Sequence, residues 1–263
     1  MRLTTRLRTI STRAAAAGTV LAAALAGQAV LATSASATVS SASCANVVQI
    51  VVRGSGEGAG SSPSGNVYKS GGFGKMYVVS SRVSSGTKKS VRTVGLNYPA
   101  AILPTTEAPL GYGQSEGIGR SRLAAELNRL AGACPGSRTV LIGYSQGAHV
   151  IGDVLSKDNP VKLSAAAKAK VAAVFLTGDP VRRYGESFNR GSGVGGGKLP
   201  NRAAGQLSGV ASRLNSFCYK GDMFCDPNHP VAGTSGSDIH GSYGSTAIGK
   251  YGAAFILNIL DRP

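Results

Sequence analysis

Gly143-Tyr144-Ser145-Gln146-Gly147 has the spacing G-x-S-x-G. An apolar run at 139–142 precedes it and reads as a strand, and a segment of helical period at 146–155 follows it. A serine on such a strand-to-helix turn is held on a sharp bend with its oxygen exposed. The flanking glycines remove Cβ atoms that would collide with the neighbouring strand and helix. The helix N-terminus behind Ser145 favours negative charge developing on a substrate oxygen. Together these features suit nucleophilic attack on a carbonyl, although a Gly-rich turn of this kind also occurs in α/β folds without chemistry.

A serine hydroxyl is a poor nucleophile near neutral pH unless a base removes its proton. The chain offers three histidines. His149 lies one helical turn after Ser145, points along that helix, and reads as a packed or surface residue. His229 is flanked by Asn228 and Pro230. His240 stands in Asp238-Ile239-His240-Gly241, just before the closing helix, where the chain order nucleophile, acid, base places the general base. The acid then falls between 145 and 240, and Asp179, Asp222, Asp226 and Asp238 all qualify by order. Asp222 is favoured because Cys218 and Cys225 can close a small loop around it and fix its carboxylate. Asp179 is the runner-up, with the alternative role of bracing the turn at Pro180.

The elements that would position these groups alternate between short β-rich runs and longer helical segments. That order predicts a mostly parallel sheet with helices on both faces. Strands are expected at 47–52, 91–96, 139–142 and 171–176. Phe73, Met76 and Val83 fall near one helical face. Ser115 is a candidate cap for a helix carrying Leu123, Leu127 and Leu130, with Arg120, Arg122 and Arg129 turned to water and Gly132 as its stop. Ile248, Tyr251, Phe255 and Ile259 form the apolar stripe of the closing helix. Residues 190–214 shift to Gly, Ser and Asn, with Gly195-Gly196-Gly197 breaking regular structure; they read as a mobile surface insertion, with a flap over the site as the sharper possibility.

Residues 1–37 have the order of an export signal: Arg2, Arg6, Arg8 and Arg13, then an apolar run at 14–31, then Ala35-Ser36-Ala37. The run is mostly alanine and is interrupted by Gly27 and Gln28, which argues against a membrane anchor. The mature protein is therefore expected to begin near Thr38, to form a single domain over 38–263, and to be secreted. Cys44, Cys134, Cys218 and Cys225 then suggest two disulfides, with three pairings possible. Their spacing is poor for zinc. Net charge is +16, and it stays strongly positive without the leader. No dense basic run or basic–aromatic interleaving accompanies it, so a generally cationic surface is expected and nucleic acid is not.

Taken jointly, Arg53-Gly54-Ser55-Gly56-Glu57, Asn97-Tyr98-Pro99-Ala100, the 143–147 turn, the 218–225 loop with Asp222, and His240 with Tyr243-Gly244 resemble the cutinase family of secreted serine esterases. The resemblance implies a three-layer α/β-hydrolase fold around a mostly parallel five-stranded sheet. It implies disulfides Cys44–Cys134 and Cys218–Cys225, a triad of Ser145, Asp222 and His240, and an oxyanion hole from Ser55 and Gln146. The expected activity is hydrolysis of polyester, short acyl or lipid esters through an acyl-enzyme, with no metal or organic cofactor. Acyl transfer to a sugar or lipid alcohol and hydrolysis of acetylated polysaccharide are the alternatives. A monomer without an integral membrane anchor is expected.

Overall fold

The computed structural model describes residues 44–103 and 110–262. The expected leader and its cleavage point lie outside them. Eight strands form one sheet: β1 (Val47–Val52), β2 (Gly60–Ser64), β3 (Val67–Gly71), β4 (Val91–Leu96), β5 (Arg138–Tyr144), β6 (Val171–Thr177), β7 (Asn189–Arg190) and β8 (Leu214–Phe217). Their order across the sheet is β2-β3-β4-β1-β5-β6-β8-β7. From β4 to β7 the pairing is parallel, and β2–β3 is an antiparallel hairpin added to the β4 edge.

The expected count of five strands is therefore corrected to eight. The hairpin reads Gly60–Ser64 and Val67–Gly71, with most of its residues at the surface. It carries little of the apolar pattern by which a strand is recognised. Strand β8 has only four residues and β7 two, too few for a period to emerge.

Side chains alternate across a strand, and β1 uses both faces. Val48, Ile50 and Val52 belong to one apolar cluster with Leu123, Leu127 and Leu130 of α2 (Tyr112–Ala133) and Ile151 and Val154 of α3 (Gln146–Leu155). Val47 and Val51 belong to the other, with Val79 and Val83 of α1 (Tyr77–Gly86) and Ile256 and Ile259 of α6 (Thr246–Leu260). A strand buried at every position thus requires helices on both sides. Short helices α4 (Ala165–Lys170) and α5 (Gly236–Gly241) complete the fold. Among the described residues, no helix is long and apolar enough to cross a membrane.

Two local expectations are corrected. Ser115 does not cap α2: the helix starts after Gly111, whose N–H is received by the Gln114 side chain at 3.1 Å. One turn further in, the Ser115 hydroxyl instead donates to Gln146 Oε1 and accepts from the Ala101 amide. Nor do the three arginines of α2 simply face water. Arg120 lies against Glu116 and Asp153, Arg122 donates to the Asn97 carbonyl, and Arg129 pairs with Glu126.

Residues 190–214 are also not a loose insertion. Gly193, Gly197, Lys198, Leu199 and Arg202 each donate a backbone N–H to Cys218, Arg182, Phe224, Pro180 or Val181, in that order. Leu207 and Val210 are buried in the core. The glycines are needed for close approach, since a Cβ at Gly197 would meet the Pro180 carbonyl and one at Gly191 the Cys218 carbonyl.

Candidate active site

All the candidate groups lie where parallel strands end. Ser145 follows β5, the loop bearing Ser55 follows β1, Asp179 follows β6, and Asp222 lies beyond β8. Carboxyl ends of parallel strands are where such sheets open a crevice.

Ser145 sits at φ 53° and ψ −120°, a region that L-residues rarely occupy. The turn closes tightly on its neighbours. A Cβ at Gly147 would strike the Val52 and Arg53 carbonyls, and one at Gly143 would meet Ile151 and the Gly147 carbonyl. Packing of α3 against β1 and β5 therefore holds the strained serine in place.

His240, in α5, brings Nε2 to 3.0 Å from Ser145 Oγ. Its Nδ1 lies 3.0 and 2.9 Å from the two carboxylate oxygens of Asp222. Serine and histidine are thus joined across 95 residues of chain. Asp222 is fully buried and its Oδ1 also accepts the amides of Phe224 and Cys225 at 2.7 and 3.1 Å. Burial pushes its carboxyl upward, but the hydrogen bond and charge of His240 and the Phe224 N–H outweigh it, so the group is held below the usual carboxylate range. Disulfides join Cys218 with Cys225 and Cys44 with Cys134. The first spans the loop that carries Asp222.

Of the remaining candidates, Asp238 is exposed, and the others are engaged elsewhere. Asp179 Oδ2 receives Arg202 and its Oδ1 receives the Val181 amide, which braces the turn at Pro180. Asp226 pairs with His229 at 2.6 Å. His149 has Nδ1 at 3.0 Å from the Tyr112 hydroxyl and Nε2 at 3.2 Å from Asp153, as a packed residue.

Facing Ser145 and His240 is a cleft of about 330 Å³ lined by Ser55, Ile102, Tyr112, Leu199 and Phe224 among others. The Ser55 hydroxyl oxygen is buried with no partner among the described residues. Its loop is fixed by Glu57, which accepts the amides of Gly54 and Lys75 at 2.7 and 2.8 Å. The Gln146 amide is the first of α3, and the first amides of a helix lack partners within it. Its side chain turns away from the cleft, donating to the Ala101 carbonyl at 2.9 Å.

Sequence reasoning did not single out Phe224, Leu199, Tyr144 or Ile102. Tyr144 donates its hydroxyl to the His240 carbonyl at 2.9 Å and so holds the backbone that bears the imidazole. Its signal was present, as the variable position of G-x-S-x-G. The others are loop residues whose apolar character says nothing until the loops converge.

Comparison with known proteins places the chain in a family. A family model described as Cutinase matches residues 43–260. The chain is 34% identical over 215 residues to the phospholipase Culp4 of Mycobacterium tuberculosis, covering 78% of each chain. It is 29% identical over 194 residues to acetylxylan esterase 2 of Talaromyces purpureogenus, covering 70% of this chain and 79% of that one. Among solved structures, an acetyl xylan esterase superposes with a TM-score of 0.69 at 27% identity, over 83% of this chain and all of that one.

Proposed function

The chain belongs to the cutinase family, and from that premise we propose that it hydrolyses carboxylic esters with Ser145 as nucleophile, His240 as general base and Asp222 as its orienting acid. One observation carries the assignment: a single imidazole bridges the strained serine and a buried carboxylate.

In this reading Ser145 Oγ attacks the ester carbonyl carbon as His240 Nε2 takes the hydroxyl proton. Asp222, holding Nδ1–H, selects the tautomer whose Nε2 is free to accept, and stabilises the imidazolium. The carbonyl oxygen becomes an oxyanion received by the amides of Ser55 and Gln146, with the unpartnered Ser55 hydroxyl as a third donor. Collapse expels the alcohol, which takes the proton from Nε2. Water then attacks the acyl-enzyme, gives a proton to Nε2, and releases the acid with Ser145 restored. No step needs a metal or an organic cofactor.

The apolar cleft supports an acyl group as the buried part of the substrate, and the alcohol side stays towards solvent. Acyl transfer, and deacetylation of polysaccharide as in the name of the Talaromyces relative, use the same acyl-enzyme and differ in what lies outside the cleft. Export and action as a monomer complete the proposal; two disulfides support an oxidising location.

The direct test is fluorophosphonate labelling with peptide mapping. The label should fall on Ser145 and vanish in Ser145→Ala, with loss of p-nitrophenyl butyrate hydrolysis. A Ser145→Ala protein hydrolysing that ester at the parent rate would overturn the reading.

A further inference from the structure

The positive charge of the chain has no dense run in sequence, yet the fold sorts it in space. Because β1, β4, β5, β6 and β8 are parallel, their amino ends share one edge of the molecule, opposite the edge bearing Ser145. Strand β5 separates the two by about 20 Å at 3.3 Å per residue. Every helix-to-strand return at the amino-end edge brings cations. Lys88 and Lys89 stand between α1 and β4, Arg138 opens β5, and Arg213 precedes β8. Lys157, Lys162 and Lys168, all exposed, stand between α3 and β6.

Some of these have local work. Arg138 donates to the last carbonyls of α6, at Ile259 and Leu260, and Arg213 to the Lys168 carbonyl. The exposed lysines do not: among the described residues none of Lys88, Lys89, Lys157, Lys162 and Lys168 pairs with a carboxylate. Two acids, Asp158 and Asp261, share this edge, and Asp158 already accepts from Gln206. At the opposite edge Lys75 pairs with Glu57 and Arg202 with Asp179.

Lys157, Lys162 and Lys168 line one groove of about 550 Å³ together with Ser156, Asn159 and Ser164. The groove is built before any ligand arrives. Asn128 donates to the Lys162 carbonyl and accepts the Ser164 amide, and Asn159 ties Val154 to Val161. We propose that this groove and the lysine edge around it bind an acidic polysaccharide, docking the enzyme by the end remote from its cleft so that Ser145 faces outward.

Three observations select this partner. Unpaired lysines are point charges suited to spaced anionic groups rather than to forked recognition of one planar group. Among the described residues, the large exposed apolar side chains Ile102, Leu103, Tyr184, Val194 and Val231 belong to loops beyond the carboxyl ends of the strands, while Tyr77 opens α1 and Tyr251 lies within α6 against Phe217. None of them stands in the helix-to-strand returns of this edge as an anchor by which a protein enters a lipid interface. The groove also holds no aromatic residue on which a base could stack.

The test is retention of the whole protein on immobilised polygalacturonate and dextran phosphate, with dextran as the neutral control. Lys157→Gln/Lys162→Gln/Lys168→Gln is compared with Lys69→Gln/Lys220→Gln/Lys250→Gln, which removes equal charge from exposed sites elsewhere. Retention should be salt-sensitive, and the groove variant should lose about tenfold or more in affinity at low salt, while the control variant stays close to the parent. Hydrolysis of p-nitrophenyl butyrate should be unchanged in both, which separates docking from catalysis. The better retained of the two polyanions identifies carboxylate or phosphate as the favoured group. Equal weakening by the two variants would overturn the groove in favour of net charge alone. Preferential binding to phosphatidylglycerol vesicles or single-stranded DNA would overturn the polysaccharide.

Discussion

The ring of Phe224 packs on the imidazole of His240 with centroids 4.6 Å apart, while the Phe224 amide donates to Asp222 Oδ1. One residue therefore touches both His240 and Asp222 and also forms a wall of the cleft. In Phe224→Ala the amide bond persists and the ring contact is lost. The expected result is a lower kcat for p-nitrophenyl butyrate together with a higher KM, and Phe224→Leu should recover the KM more than the kcat, since a leucine restores apolar wall but not a flat face. Steady-state kinetics of the two variants check this.

Asp222 is expected to act by charge and orientation. In Asp222→Asn the amide favours the wrong imidazole tautomer, and kcat should fall by about 10⁴-fold. Stability has its own sign. A carboxyl held below its unfolded value contributes stability in full above that value and loses it as pH falls through the folded one. Urea unfolding of parent and Asp222→Asn should therefore differ near neutrality, with the difference shrinking in acid.

Ser145 is strained, at φ 53°. Glycine tolerates that conformation, so Ser145→Gly should abolish activity yet raise the unfolding free energy by about 1 kcal/mol. Ser145→Ala keeps the Cβ and should not show that gain. Thermal or denaturant unfolding of the pair distinguishes them.

The two disulfides should have separable effects. Cys44 and Cys134 are 90 residues apart, Cys218 and Cys225 only 7. Loop-closure entropy predicts about 4.6 kcal/mol for the long loop and about 2.5 kcal/mol for the short one. Replacing the first pair by serine should therefore lower stability more and leave kcat of the folded fraction intact. Replacing the second should cost less stability but loosen Asp222, so that kcat falls in protein that is still folded. Unfolding curves and active-site titration check both.

Much of the architecture was legible because hydrophobic period is a local property. Strands β1, β4, β5 and β6 and helix α3 emerged near their observed bounds, and Ser145 stood out because its turn is written within five residues. The edge hairpin and short β8 were not legible, since exposed or very short strands bury too little to need an apolar pattern. Ser115 misled because its residue type suits a helix cap, whereas its hydroxyl serves Gln146 in another helix. The 190–214 segment misled similarly: its glycines looked like slack and instead permit close packing on Cys218 and Pro180.

By itself the sequence determined the alternation of strands and helices, the serine turn and the supply of candidate acids and bases, because each depends on neighbours a few positions away. Only the tertiary structure decided that His240 bridges Ser145 and Asp222 while Asp179 is held by Arg202, and that scattered lysines gather on the far edge. Those outcomes depend on which loops share an end of a parallel sheet, and parallel strands bring together residues that are far apart along the chain.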